Sequence, residues 1–446
     1  MVLAITSLLA LPAIAEPGMP PGPPPDGQFG SAPPGGDMNQ VSATGVYQQQ
    51  GNNISQQSET YKASQPDQSA IYVYGAGSYT LSDGDLSKSG DSSNVNASNF
   101  YGNNAIVLAS EGSHIGLNDC SLQSDAEGAN ALLAYGKGTT INVTNCTIAT
   151  TKGASRGAHA TFGGSITISN SIISTQGPHG AALATDRGGG TVNATDVTGT
   201  TQGDGSPGIY STGIITVNGG DYTAYGAEAA VIEGKNTMNL YGTDISGYRK
   251  RGVMIYQSNS GDSSTGEGHF QMVEGSLVNN SKGPAFFVTN TTATISLNDV
   301  DIINNSDTLL RAATPGKNEP DTLPQWGHLG GTVTFDATHQ TLAGNIIADK
   351  NSAISLNLYD TSTLHGAINN SMQGKVDLTL DNSSQWRADG NSHLNTIYGA
   401  ELQGSVLANI DAPAGVTIYY AKMTNASGSM LMGNYTLASG GKLVMD

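Results

Sequence analysis

A regular repeat constrains this chain more than any other feature. Eight times between Leu117 and Ile302, an apolar residue is followed five positions later by a second one, with mostly small or polar residues between them. The first members recur at nearly equal intervals, apart from one longer interval between Leu240 and Met272. A period of roughly 25 residues is typical of solenoids, whose repeats stack because none can bury its apolar side chains alone. The eight pairs are Leu117/Leu122, Val143/Ile148, Ile168/Ile173, Val192/Val197, Val217/Tyr222, Leu240/Ile245, Met272/Leu277 and Leu297/Ile302.

Before each pair, a short apolar segment predicts a further strand. Alternate residues of a strand face opposite sides of the sheet, so the first and third residues of each segment are expected in the core. The middle residues then form an outward column that is unusually apolar. This predicted column comprises Val107, Leu133, His159, Leu183, Tyr210, Val231, Met254 and Phe287.

The composition supports an all-β parallel helix. Charged residues make up 12% of the 446 residues, about half the usual share, and this disfavours surface helices. The formal net charge is −18, which would repel a nucleic acid or an anionic membrane unless a local basic patch met it. The one basic run, Arg249-Lys250-Arg251, is interpreted as a solvated turn. We therefore expect no nucleic-acid partner.

Four regions are predicted along the chain. Residues 1–15 are expected to be a signal peptide, because the apolar run ends in Ala13-Ile14-Ala15 and is too short to span a membrane. Residues 16–68, rich in Pro and Gly and then in Gln, Asn and Ser, are expected to be a disordered linker or an irregular cap. Residues 69–312 form the regular coils, with Leu81/Leu86 and Val95/Phe100 in a less regular first coil. Residues 313–446 form shorter coils, in which an apolar pattern recurs at a shorter interval.

Three segments carry a resemblance to known proteins. ITISNSIIST (166–175), LTLDNSSQWRADGNSHL (378–394) and YTLASGGKLV (435–444) resemble right-handed parallel β-helix proteins of bacteria, of the autotransporter-passenger and adhesin type. The likeness extends over residues 69–446. It implies a right-handed helix, secretion or a place on the bacterial cell surface, and adhesion to a glycan or to a host or matrix protein. Full autotransporters continue into an outer-membrane barrel, which is not expected in this sequence.

The first functional hypothesis is ligand binding by the outward column. Contiguous exposed apolar surface is unusual on soluble monomers and tends to mark an interaction site. Aromatic residues in it could stack on sugar rings or anchor a protein partner. The alternative is that other segments of the same chain cover the column. The candidate ligand-binding residues are His159, Leu183, Tyr210, Val231, Met254, Tyr256 and Phe287.

The second hypothesis is a polysaccharide-active lyase or hydrolase on the same fold. Such an enzyme needs carboxylates close together, or a basic residue beside them. Neighbouring coils could bring together the charged residues Asp186, Arg187, Glu233, Lys235 and Arg251. The sequence lacks the Asp-Asp and Gly-His-Gly segments of the polygalacturonase-like proteins, and its eight His residues lack zinc-binding spacing. We expect neither a metal nor a cofactor.

The only two cysteines occupy equivalent positions in consecutive repeats. Cys120 and Cys146 are each the fourth residue of their apolar pair segment, one repeat apart. Stacked coils should place their Cα atoms about 5 Å apart, which suits a disulfide. We predict the bridge in an exported protein. The alternative is a pair of small buried thiols.

Overall fold

Alternating apolar and polar residues build short parallel strands, and these stack into a β-solenoid of about 16 turns. The structure is a computed structural model and describes residues 42–316, 319 and 321–446. The predicted all-β parallel fold is confirmed. The predicted signal peptide (1–15) and residues 16–41 of the predicted linker lie outside the described residues.

The strands of each regular coil lie on three faces. The first face is a 12-stranded parallel sheet, here called the first sheet. Its strands are Thr44–Gln50, Gln68–Tyr74, Val107–Ser110, Leu132–Tyr135, Ala158–Thr161, Leu183–Thr185, Ile209–Ser211, Ala230–Glu233, Val253–Tyr256, Phe286–Thr289, Thr308–Ala313 and Asn345–Ala348.

The other two faces join into one 25-stranded sheet, because two long strands run through both. Its strands are Asn53–Gln57, Thr60–Ala63, Ser78–Ser82, Asp85–Lys88, His114–Asn118, Ser121–Ser124, Thr140–Thr144, Thr147–Thr150, Ser165–Ser169, Ile172–Thr175, Thr191–Thr195, Thr198–Thr201, Ile214–Asn218, Asp221–Ala224, Thr237–Gly247, Glu267–Asn279, Thr291–Asn298, Asp301–Asn304, Gly331–Thr338, Ala353–Tyr359, Lys375–Leu380, Ser392–Tyr398, Thr417–Met423, Tyr435–Thr436 and Lys442–Met445. A four-stranded sheet comprises Thr341–Ala343, Thr363–His365, Gln385–Arg387 and Ile410–Asp411, and a short hairpin comprises Leu402–Gln403 and Val406–Leu407.

The five-residue spacing of the apolar pairs reflects a sharp corner between two strands. Val143 ends up inside the second face and Ile148 inside the third, and both are buried. Asn145, between them, adopts a left-handed backbone with φ 56°. Asp, Asn and Gly tolerate this conformation, which explains their frequency within the pairs.

One of the eight predicted pairs is out of register. Ala194, not Val192, stacks between Ile168 and Val217, and Gly199 takes the second position. The small residues are accommodated because the Tyr222 ring of the next coil fills the space, so that a Cβ on Gly199 would lie 2.5 Å from Tyr222 Cδ1. A search for large apolar residues therefore selected the wrong positions in this coil.

The solenoid begins earlier than the predicted boundary at residue 68. Strand Thr44–Gln50 pairs in parallel with Gln68–Tyr74 and opens a first coil rich in Gln. Its core contains Tyr47, whose ring lies 4.4 Å from that of Tyr79. Buried Gln49 donates from Nε2 to three backbone carbonyls, so its polar side chain is satisfied inside the coil. This polar end coil suits a cap.

A short helix, Val95–Tyr101 (α1), replaces the predicted strand pair Val95/Phe100. Asn94 caps its start, because Asn94 Oδ1 accepts from the Ala97 N–H at 3.0 Å, and Gly102 ends it in the left-handed region. The second helical element of the described residues is a 3₁₀ turn, Pro324–Trp326. Within the described part of the chain, no helix is both long enough and apolar enough to cross a membrane.

The two cysteines stack as predicted, but both are free thiols. Each thiol donates to the backbone carbonyl two residues earlier, at 3.2 Å for Cys120 and 3.3 Å for Cys146. The Cys120 N–H in turn donates to Cys146 Sγ at 3.3 Å. Ser171 makes the same two contacts one coil further on. In these three coils the position therefore holds a small side chain that both donates and accepts, and the predicted disulfide is not formed in this structure.

Candidate functional site

The outward column of the first sheet is covered, not exposed. Strand pairing also removes two residues from it, because Val107 and Leu183 stack in the core column with Leu132 and Ala158. The outward residue beside Leu183 is Ala184, which is fully buried. The alternation of residues could not show which of Val107 and Leu108, or of Leu183 and Ala184, faces outward, because both members of each pair are apolar. The remaining outward residues are buried or half-buried: Leu108, Leu133, His159, Ala184, Tyr210, Val231, Met254 and Phe287.

Helix α1 covers the first part of this column. Gly102, at its C-terminal end, lies so close that an added Cβ would be 2.6 Å from Leu108 Cδ1 and 2.8 Å from Leu133 Cδ2. The Thr161 hydroxyl anchors the helix by donating to the Phe100 carbonyl at 2.8 Å. The helix therefore seals the first coils of the column against water.

The 3₁₀ turn covers the last part of the column. The Trp326 ring packs on Tyr256 with ring centroids 4.8 Å apart, and both join a cluster that includes Met254 and Phe287. Asn290 Nδ2 fixes the turn by donating to the Trp326 carbonyl at 2.7 Å. The aromatic residues of the predicted binding face are thus packed against the chain itself.

Segment 257–266 covers the middle of the column and rests on one carboxylate. Glu233 is buried at the end of strand Ala230–Glu233. Its Oε2 accepts from the Tyr210 hydroxyl at 2.7 Å and from the Tyr256 hydroxyl at 2.9 Å. Its Oε1 accepts from the hydroxyls of Ser258 and Ser260 in the covering segment. Four hydroxyl donors compensate the burial of this charge and hold the segment in place.

A second anchor of the same segment is an ion pair. Asp262 Oδ1 accepts from Arg187 Nε at 3.0 Å and from Arg187 Nη2 at 2.7 Å. The guanidinium of Arg187 also lies 4.0 Å from the centre of the Phe100 ring. Next to it, Asp186 Oδ2 lies 3.3 Å from Arg156 Nη2 and 3.6 Å from His159 Nε2. Charged groups from several coils therefore converge beneath segment 257–266.

Burial shifts the pKa values of His159, Tyr210 and Tyr256 in this cluster. Removal from water, with the charge of Arg156 as a smaller cause, lowers the pKa of His159 to about 4, and Asp186 partly opposes the change. Burial, together with the nearby Glu233 carboxylate, raises the pKa of Tyr210 and Tyr256 well above the usual value. Both tyrosines therefore remain neutral donors at all ordinary pH values.

The pKa of Asp262 is raised, as expected for a buried carboxyl group close to other carboxylates. Burial, with the Asp186 carboxylate as a smaller cause, raises the pKa of Asp262 to about 6, and Arg187 partly counteracts the rise. A raised pKa favours the protonated form, so the folded state gains stability from Asp262 as pH falls from about 6 toward 4. The lowered pKa of His159 has the opposite sign, because the folded state loses stability as pH falls from 6.5 toward 4.

We expect these opposing effects to separate in the variant Asp262→Asn. The variant lacks the stability that Asp262 contributes as pH falls, and it keeps the stability loss caused by His159. Its free energy of unfolding should therefore fall by about 2–3 kcal/mol more than that of the wild type between pH 6.5 and pH 4. Guanidinium unfolding followed by circular dichroism at both pH values measures the difference. His159→Gln should change the slope in the opposite direction. Parallel pH curves for all three proteins would contradict the assignment.

The predicted charged cluster is assembled only in part. Asp186, Arg187 and Glu233 come together, joined by Asp262, which sequence reasoning missed because it lies 75 residues beyond Arg187 in an insertion. Lys235 is exposed, and its backbone N–H pairs with the carbonyl of Ser264. Arg251 lies apart and pairs with buried Glu228. In the described residues no three His, Cys, Asp or Glu side chains are placed to hold a metal ion.

An open groove lies at a different corner, where the third face turns toward the first sheet. Residues at this corner stack directly, since the N–H of Tyr225 donates to Thr201 O at 2.8 Å and that of Tyr248 to Ala224 O at 2.9 Å. The two tyrosine rings pack with centroids 4.9 Å apart and remain 47% and 44% exposed. Beside them lies a groove of about 350 Å³, lined by Asp204, Tyr248, Arg249, Lys250, Asn280, Ser281, Lys282 and Asp321. We call this groove, together with Tyr225, the tyrosine groove.

The tyrosine groove was not predicted from the sequence, although one signal for it exists. The sequence interval between Tyr225 and Tyr248 equals the interval between Val217 and Leu240 in the same two coils. Equal spacing places two exposed aromatic rings in one column. Arg249 and Lys250 were interpreted as a solvated turn, because the neighbouring Lys282 is distant in sequence.

Comparison with known proteins adds no assignment. No protein-family model matches the chain, and no curated protein is significantly similar to it in sequence.

Proposed function

We propose that this chain is a secreted or cell-surface protein that acts in adhesion by binding a glycan in the tyrosine groove. One observation carries the proposal: two stacked, half-exposed tyrosines border a groove that also presents amide, hydroxyl and charged side chains. Aromatic faces stack on the apolar faces of sugar rings, and the polar groups beside them can bind sugar hydroxyls.

The rigidity of the solenoid supports this function. Every coil adds a nearly identical backbone layer, so the exposed side chains of the corner stand in fixed register. Asn280 and Asn305 continue the column beyond the tyrosines, and Asn305 Nδ2 donates to Asn280 Oδ1 at 3.0 Å. A binding surface that is already ordered loses little conformational freedom on binding. The covered column of the first sheet, by contrast, offers no open apolar face.

The double variant Tyr225→Ala/Tyr248→Ala tests the proposal. Loss of two stacking platforms should weaken binding of the preferred glycan by at least about tenfold, with little change in stability because both rings are half-exposed. A glycan array followed by titration calorimetry measures the affinity. Tyr398→Ala is the matched control, since Tyr398 is 40% exposed on the outer side of another face. Unchanged binding by the double variant, or no glycan binding by the wild type, would overturn the proposal.

A polysaccharide-active lyase or hydrolase remains the second candidate function. It is favoured by the raised pKa of Asp262 beside Arg187, because a carboxyl group that titrates near neutrality suits general acid catalysis. Against it, Glu233 accepts four hydroxyls of the protein and Asp262 is paired with Arg187. Release of reducing or unsaturated sugar ends by the purified protein would decide for the enzyme.

A further inference from the structure

We propose that the glycan recognised in the tyrosine groove is anionic, carrying carboxylate or sulfate groups; this inference rests on the proposed function. Three cationic side chains, Arg249, Lys250 and Lys282, line the groove. The whole chain has 18 Lys and Arg against 36 Asp and Glu. Three neighbouring cations are therefore not expected from the composition, and they would attract an anionic ligand to this groove.

Two neighbouring turns assemble the cluster. Arg249 and Lys250 follow strand Thr237–Gly247, and Lys282 follows strand Glu267–Asn279 in the next coil. None of the three side chains makes an ion pair with another residue in the part of the chain that the structure describes. The third member of the basic run, Arg251, turns inward to Glu228 instead. The outer cations therefore keep their charge available to a ligand.

Hydrogen bonds fix the two turns against each other. The Ser281 hydroxyl donates to the Lys250 carbonyl at 3.0 Å, and the Ser281 N–H donates to Asn279 Oδ1 at 3.1 Å. Gly283 packs so tightly beneath Lys250 that an added Cβ would lie 1.9 Å from the Lys250 carbonyl oxygen. The backbone positions of Lys250 and Lys282 are thus set before a ligand arrives, which favours recognition of charges at a defined spacing.

Two carboxylates that line the groove refine the expected ligand. Asp204 and Asp321 are exposed and line the same groove as the three cations. With them, the side chains that line the groove carry a net charge of +1. The two carboxylates can also accept hydrogen bonds from sugar hydroxyls. A glycan with alternating hydroxyl and acidic groups matches this arrangement better than a uniform polyanion does. Discrimination against a nucleic acid follows from the same carboxylates.

The test compares an oligogalacturonate with its methyl ester, which has the same sugar backbone without the charges. Dextran sulfate and plain dextran form a second pair, which separates sulfate from carboxylate recognition. We expect the full chain to bind one acidic member at least about tenfold more tightly than its neutral partner, because charge-assisted hydrogen bonds are lost with the charge. Binding should weaken with added salt. The variant Lys250→Gln/Lys282→Gln should remove this preference, and Lys375→Gln, an exposed lysine on strand Lys375–Leu380, is the control.

The outcomes separate this inference from the proposed function. Equal binding of acidic and neutral forms, unaffected by the lysine substitutions, would overturn the anionic preference and leave glycan binding intact. Absence of binding to every saccharide tested here and on the array would overturn both. Equally tight binding of a single-stranded DNA oligonucleotide would show simple polyanion attraction and would also overturn the inference. Loss of acidic-glycan binding in the double lysine variant, with normal binding by Lys375→Gln, supports it.

Discussion

Replacement of Phe287 by alanine is expected to lower the free energy of unfolding by about 3–5 kcal/mol. Phe287 is 1% exposed, although it points away from the core of the solenoid. It packs in a second apolar cluster with Val231, Met254 and Ala313, beneath Trp326. The Arg251 guanidinium lies 4.3 Å from its ring centre. Removal of the ring leaves a cavity between the first sheet and the segments that cover it, and the rigid coils cannot close it.

Ile303→Ala is the matched control for this prediction. Ile303 also points outward from a strand, Asp301–Asn304, but is 55% exposed. Its truncation should change the free energy of unfolding by no more than about 0.5 kcal/mol. Guanidinium unfolding of both variants, followed by circular dichroism, gives the comparison. If Phe287→Ala proves as mild as Ile303→Ala, the outward column is open and the original hypothesis of a binding face returns.

The repeat predicted the fold because it records a local physical requirement. Val143 and Ile148 must both enter the core across a corner that Asn145 can form, and this requirement recurs in each coil. The prediction was wrong where two positions satisfied the same rule. In Ala182-Leu183-Ala184, only stacking on Ala158 determines that Leu183 faces inward. Which residue faces the core therefore depends on the neighbouring coil and cannot be predicted from the sequence of the segment alone.

The surface was harder to predict because it depends on contacts between distant segments. Apolar outward residues such as Met254 indicated that something contacts them, but not that Trp326 of the same chain does so. The burial of Glu233 similarly depends on Ser258 and Ser260 of an insertion whose sequence shows only a polar loop. Coverage by insertions follows no repeat, so periodicity carries no information about it.

The basic run 249–251 contains two arginines with opposite expected roles. Arg251 is buried, with Nη1 3.0 Å from Oε1 of buried Glu228 and 3.6 Å from Met254 Sδ. Arg251→Met should lower the free energy of unfolding by about 3–5 kcal/mol, because it leaves the Glu228 carboxylate buried without its partner. The double variant Glu228→Gln/Arg251→Met should recover a large part of this loss, since no uncompensated charge remains.

Arg249→Met, two residues away, provides the control with the same change of residue type. Arg249 is exposed and lines the tyrosine groove, so its replacement should leave the free energy of unfolding within about 0.5 kcal/mol of the wild type. It should instead weaken the binding of an acidic glycan, whereas folded Arg251→Met should bind that glycan normally. Unfolding curves measure the stability of both variants, and calorimetric titrations measure their glycan binding. Arg251→Met should change only stability, and Arg249→Met should change only binding. A stable Arg251→Met protein would contradict the buried ion pair, because it would mean that the Glu228 carboxylate is accessible to water.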